Sequence, residues 1–286
     1  MTGSSRAIAC CIGALSVSIG AAFAQAQPTH TGDAPPDPAT IAKPDPARMS
    51  VADITSCMRA NVVDRGSLRE IEMVTTDREG KHRKIRMKLF WKPAKDPSVV
   101  RTTLRVVEPA DQAGAAYLVV SNPDDDEVYI YMPALDRVQR VVGDDNQALF
   151  GTDFTQTDVK QVQALLEQGN TQRLGDAKVA ERAVFVLDTA TDVEETGYAR
   201  IRSYVDQATC TLLKSEAFAK SGELLKVLDA DLSTLISVKS WWLILGYTMR
   251  DLRARTQTAL SLSDVYLLER LPEELFDPTS FYRVQP

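Results

Sequence analysis

From Lys84 to Lys92 the chain alternates. Ile85, Met87, Leu89 and Trp91 fall on one side; Lys84, Arg86, Lys88 and Lys92 fall on the other, with Phe90 the single exception. A period of two predicts a half-buried strand with one wet, basic face. Leu68 to Thr76 forms its partner, through the turn Arg78-Glu79-Gly80-Lys81. Further strands are predicted over Thr102–Glu108, Tyr117–Ser121, Glu127–Met132 and Val138–Val142. After an interruption the pattern resumes over Ala183–Asp188, Tyr198–Asp206, Thr211–Phe218, Leu224–Ala230, Trp241–Met249 and Thr256–Leu262.

Two helices break this meander. Ser50-Val51-Ala52-Asp53 has the form of a capping box, with Val51, Ile54 and Met58 at helical spacing, which predicts a short helix to about Asn61. Thr155-Gln156-Thr157-Asp158 is a second box, followed by the stripe Val159, Val162, Leu165 and Leu166 and the stop Gly169-Asn170. The predicted class is mainly β: about eleven strands in one strongly curved antiparallel sheet or half-open barrel, with short helices as a lid. An alternating face of this kind either fills a core or lines a cavity.

Ahead of the folded part, Ala7 to Ala24 is an apolar, small-residue run behind Arg6, ending in Ala22-Phe23-Ala24. That is the form of a cleaved signal peptide over residues 1–24 and predicts export. Residues 25–48 hold six of the 14 prolines, at a density that blocks helix and sheet, and are expected to form a linker without fixed structure. The folded domain is then 49–286.

Composition narrows the chemistry. The chain is 44% hydrophobic and 25% charged, enough apolar material for a sizeable core. With 33 basic against 39 acidic residues it has a net charge of -6, which argues against nucleic acid as the main partner. With His30 and His82 the only histidines, designs built on several imidazoles are excluded. The acidic turns Asp124-Asp125-Asp126 and Asp144-Asp145 lack EF-hand spacing and promise no carboxylate pair across a cleft. Nucleophile-elbow, zinc-protease and phosphate-loop motifs are missing, so the expectation is a protein without catalysis, cofactor or metal. After cleavage Cys57 and Cys210 remain, to be read as a disulfide in an oxidising compartment or as two separate buried thiols.

The stretch Val128-Tyr129-Ile130-Tyr131-Met132-Pro133-Ala134-Leu135-Asp136-Arg137-Val138, followed by Gly151-Thr152-Asp153-Phe154-Thr155-Gln156-Thr157-Asp158, resembles the LolA-like family of outer-membrane lipoprotein-sorting proteins. Leu245-Gly246-Tyr247-Thr248-Met249-Arg250-Asp251 and Leu275-Phe276-Asp277-Pro278-Thr279-Ser280-Phe281 look like the same family, so the resemblance covers roughly residues 50 to 286. It implies a half-open β-barrel with a helical lid over an apolar cavity. The function it implies is a periplasmic carrier of lipid or of a lipoprotein's acyl chains, working with an RND-type inner-membrane exporter. On that reading Ile85, Met87, Leu89, Trp91, Leu104, Val106, Val128, Ile130 and Met132 line the cavity. Gly151, Asp153, Phe154, Val159 and Val162 form the lid and its loop, and Arg137 and Arg140 meet Asp153 or a lipid headgroup. The basic row Arg83, Lys84, Arg86, Lys88 and Lys92 is either a solvated face or a transient contact with an anionic membrane surface or an acidic transporter partner. The alternative is an envelope adaptor with a filled interior.

Overall fold

A computed structural model describes residues 45–62, 66–93, 99–121, 126–141, 148–155, 157–158, 170–268 and 270–284. The expected signal peptide, most of the expected linker, and Val159 and Val162 lie outside these residues. The last part of the expected linker is an exposed 3-10 turn, Pro46–Arg48, started by Asp45 accepting from the Ala47 N–H at 3.1 Å.

Helix α1 (Val51–Arg59) opens as its sequence dictates: Ser50 Oγ accepts from the Asp53 N–H, and the Asp53 carboxylate accepts from the Ser50 N–H at 2.8 Å. The strands are β1 (Ser67–Thr76), β2 (His82–Pro93), β3 (Val100–Glu108), β4 (Ala116–Ser121), β5 (Asp126–Met132), β6 (Arg137–Val141), β7 (Thr171–Arg173), β8 (Ala177–Val179) and β9 (Arg182–Ala190). After a short helix α2 (Val193–Thr196) come β10 (Arg200–Asp206), β11 (Leu212–Phe218), β12 (Leu224–Ala230), β13 (Leu235–Val238), β14 (Trp241–Ile244), β15 (Gly246–Asp251) and β16 (Thr256–Leu267).

Among the described residues, 14 strands form one antiparallel sheet in the order β6-β5-β4-β3-β2-β1-β16-β15-β12-β11-β10-β9-β7, with β8 also on β9. Its ends, β6 and β7, do not pair, so the sheet is open. The class is the one the period-two pattern predicts. The strand number is higher because β7 and β8 have only three residues each, too few to show a period. The run Trp241–Met249 is two strands rather than one: β14 pairs with β13 in a separate hairpin, and β15 joins the main sheet. The break falls at Gly246, where a Cβ would lie 3.1 Å from Asp231 Cβ and 3.2 Å from a Thr234 methyl.

Cross-strand pairs put side chains on a common face, so register defines both faces. The row Leu187–Ser203–Ser215–Leu228–Met249–Thr258–Thr75–Arg83 crosses the sheet on one of them. Here α1 packs Ile54 and Met58 on Phe185, Leu187 and Val205; this is the helix face. A disulfide joins Cys57 of α1 to Cys210 in the turn after β10, with Cα atoms 5.8 Å apart, so the disulfide alternative is the observed one.

The opposite face carries the C-terminal tail. Phe90, the exception in the alternation of β2, is fully buried there with Ala116 and Leu118 beneath Leu271, Leu275, Phe276 and Phe281. Lys92 and Arg101 flank the contact, both paired with Glu273, and Tyr131 stacks on Tyr282 at 3.9 Å.

Candidate functional site

On the helix face of β1–β5 the register stacks three apolar rows. They are Ile71–Met87–Val106, then Arg69–Leu89–Leu104–Tyr117–Ile130, then Ser67–Trp91–Thr102–Val119–Val128. The side chains expected to line a cavity therefore do share one wall, Met132 included. Their burial is graded. Ile85, Met87 and Val106 are 2%, 1% and 4% exposed and Val128, in the far row, is 7% exposed, whereas Leu89, Trp91, Leu104, Ile130 and Met132 remain partly exposed.

The gradient has a local cause. The segment Ala148–Thr155 lies on the first end of the wall and inserts Phe154, with Phe150 beside it, against Ile71, Met73, Ile85, Met87 and Met249. Phe150 also meets Tyr117 edge to face at 4.3 Å. Three anchors hold this segment. Arg83 of β2 donates to the carbonyls of Phe150 and Gly151. The Asp153 carboxylate accepts from the hydroxyls of Thr256 and Thr258 of β16, the latter at 2.6 Å. Lys226 of β12 donates to the Asp153 carbonyl and to Asp158 Oδ2, both at 2.8 Å.

Asp158 is the hub. It accepts from the Thr155 N–H at 2.8 Å and returns its own N–H to Thr155 Oγ1 at 3.1 Å, which is the predicted capping box. Its second oxygen accepts from Tyr198 Oη at 2.8 Å. Burial, with the neighbouring Asp158 charge added, holds the Tyr198 phenol well above the usual tyrosine range, so it stays a donor. Asp153 thus fastens the segment to the sheet, and Asp158 caps the helix start.

Two cavities border this hub. A space of about 40 Å³ lies between Ile201, Ser203, Ser215, Leu228 and Met249, enough for water but not for an acyl chain. An open one of about 800 Å³ lies between Asp77, His82, Arg83, Asp153, Tyr198 and Asp251. Neither is lined by the residues predicted for a ligand cavity.

The remaining predicted positions separate. Arg137 pairs in register with Met132 and so falls on the helix face; Arg140 pairs with Tyr129 on the tail face and bonds Glu127 at 3.2 Å. Asp153 is engaged by threonines rather than by either arginine. In the basic row, Lys84 meets Glu72 at 2.5 Å and Arg86 meets Glu108 at 2.9 Å, so it is a solvated ladder of cross-strand pairs. Sequence reasoning passed over Arg69 and Ser67, which share a face with Ile71 and Met73. The signal was available: at steps of two along Ser67–Thr76, one side reads Ser, Arg, Ile, Met, Thr.

A protein-family model described as "-like: Uncharacterized protein" matches residues 99–283. The chain belongs to this family. A DUF1329 family protein from Desulfovibrio piger superposes with a TM-score of 0.72 at 21% identity, covering 79% of this chain and 95% of that one. A putative outer membrane lipoprotein-sorting protein domain from Vibrio parahaemolyticus gives 0.73 at 22% identity, with 82% and 98% covered. A LolA superfamily protein from Nitrosomonas europaea gives 0.62 at 18% identity, with 80% and 98% covered. No curated protein matches this chain by sequence. At these identities the likeness establishes the fold, and it bears out the LolA-like resemblance read from Val128 to Asp158.

Proposed function

We propose that the chain is a non-catalytic periplasmic carrier of lipid, or of the acyl chains of a lipidated protein. Residues 1–24 would direct export, 25–48 would tether, and the remainder would carry. The observation that supports this most is the graded wall on the helix face. Leu89, Trp91, Leu104, Ile130 and Met132 stand partly exposed in an open sheet, beside a polar-anchored segment that covers the rest. Each methylene hidden from water is worth about 0.8 kcal/mol, so such a wall can hold an acyl chain. Met132 adds a side chain that adapts to irregular cargo. An RND-type inner-membrane exporter and a transient membrane contact complete the proposal as the resemblance implies them.

Native mass spectrometry of the protein purified from a cell envelope tests this: a co-purifying lipid is expected, and a clean ligand-free mass with no lipid uptake overturns it. One observation favours the adaptor reading, namely the near-complete burial of Ile85, Met87 and Val106 under Phe154. Leu89→Arg separates the two. A carrier keeps its fold and loses ligand, because Leu89 borders open space; an adaptor with a filled interior loses stability.

A further inference from the structure

Two polar side chains interrupt the apolar wall, and neither is satisfied. Ser67 is fully buried and its Oγ meets no hydrogen-bond partner. The Nε–H of Arg69 is buried and also meets none. Among the described residues no carboxylate pairs with this guanidinium. Burial holds it below the usual arginine range, with no opposing charge to compensate.

The two residues are a step of two apart on β1, so they share the helix face. Ser67 stands opposite Trp91 and Arg69 opposite Leu89. On the β2 side and along β1, their neighbours in the next rows are Leu104, Thr102 and Ile71, none of which carries a charge. They sit at the end of the wall away from Phe154, where Leu89, Trp91 and Leu104 are partly exposed. Opposite Arg69 the register of β16 shifts between Ser263 and Tyr266, an irregularity of the kind that re-aims a side chain.

An unpaired guanidinium in an apolar wall is costly, and buried polar groups are as a rule partnered. Its fork of donors fits a carboxylate or a phosphate in bidentate fashion, and a serine hydroxyl adds one more donor. Beside Arg69 the row across β2 to β5 continues through Leu89, Leu104, Tyr117 and Ile130, all partly exposed.

We propose that Arg69 and Ser67 form an oxyanion seat for the head of an amphiphile, a carboxylate or a phosphate, whose hydrocarbon lies along Leu89, Leu104 and Ile130. This rests on the carrier reading and narrows its cargo to anionic lipid. The bound anion completes the two side chains that the empty protein leaves unsatisfied, while the wall supplies apolar contact that any alkyl chain would share.

The full chain, stripped of lipid, is titrated with laurate, dodecyl phosphate, dodecanol and inorganic phosphate, with binding followed by calorimetry and native mass spectrometry. Laurate and dodecyl phosphate should bind about tenfold or more tighter than dodecanol, and inorganic phosphate should bind far more weakly than its dodecyl ester. Arg69→Met should bring laurate down to the level of dodecanol, leave dodecanol unchanged and raise the melting temperature of the empty protein. Equal binding of laurate and dodecanol by the wild-type chain, or a preference that survives Arg69→Met, overturns the seat and leaves the carrier reading standing. Inorganic phosphate binding as tightly as dodecyl phosphate overturns the amphiphile assignment. If none of the alkyl probes binds, both readings fall. Should Arg69→Met not fold, the wild-type ranking of the four probes still decides.

Discussion

Lys226 Nζ lies 2.8 Å from Asp158 Oδ2, with both side chains about nine-tenths buried. The pair joins the helix start at Thr155 to the middle of the sheet. Lys226 also holds the Asp153 carbonyl, so one cation secures both ends of the Asp153–Asp158 segment. Removing one partner of a buried pair leaves the other charge uncompensated. Lys226→Met is expected to lower stability by about 3 kcal/mol in urea unfolding. It should also speed amide exchange over 149–155 more than over β9, which does not adjoin β12.

Gly151 gives a second handle on the same segment. Its φ is +66°, and a Cβ there would stand 2.7 Å from the Arg83 guanidinium. Gly151→Ala therefore strains the backbone and displaces Arg83 from the two carbonyls it holds. The expected result is a loss of about 1–2 kcal/mol together with increased binding of a hydrophobic dye, as Phe150 and Phe154 come away from the wall. Unchanged dye binding would show that Arg83 does not keep this segment down.

The disulfide between Cys57 and Cys210 closes a loop across a sequence separation of 153 residues. On the chain-entropy model a loop of this size contributes roughly 4–5 kcal/mol as an upper figure. Cys57→Ser with Cys210→Ser should lower the urea midpoint accordingly, and a reducing agent should do the same to the wild-type chain. The loss should appear first as detachment of α1 from Phe185, Leu187 and Val205.

Asp206 governs the acid limb of stability. Burial alone would push its carboxyl up, but two hydrogen bonds from Arg182, at 2.8 and 2.7 Å, and two from Thr209 outweigh burial and hold it below the usual carboxylate value of 3.8. A carboxyl lowered on folding contributes fully above its unfolded pKa, and that contribution is lost as pH falls through the folded value. Melting temperatures should therefore drop below about pH 4, and Asp206→Asn should flatten that limb while lowering stability at neutral pH. A drop of equal steepness in the variant would assign the acid limb to other carboxylates.

The legible parts of this fold were those with local period. The alternation of β2 fixed a wall and, through its one misfit, Phe90, marked where the tail docks on the opposite face. The capping boxes at Ser50 and Thr155 were readable because each is complete within four residues. What escaped depended on distant partners. Nothing near Arg83 announces that it reaches Phe150 and Gly151, and nothing near Asp153 announces Thr256 and Thr258. Arg69 went unnoticed for another reason: a charge within an alternating strand reads as its wet side until the register puts it beside Leu89. The split of Trp241–Met249 followed from Gly246, whose need for a close approach is invisible without Asp231 and Thr234.

The first strand of the main sheet, β1, is hydrogen-bonded to its last, β16, with Ser67 opposite Leu267. Nearly the whole polypeptide must therefore be available before the seam between β1 and β16 can form, and until then β1 and β15 each offer an unzipped border to any neighbouring extended chain. Assembly is a closing step of high contact order, slow by its topology. A polypeptide crossing a membrane from its amino end would have to stay shielded until β16 (Thr256–Leu267) had emerged.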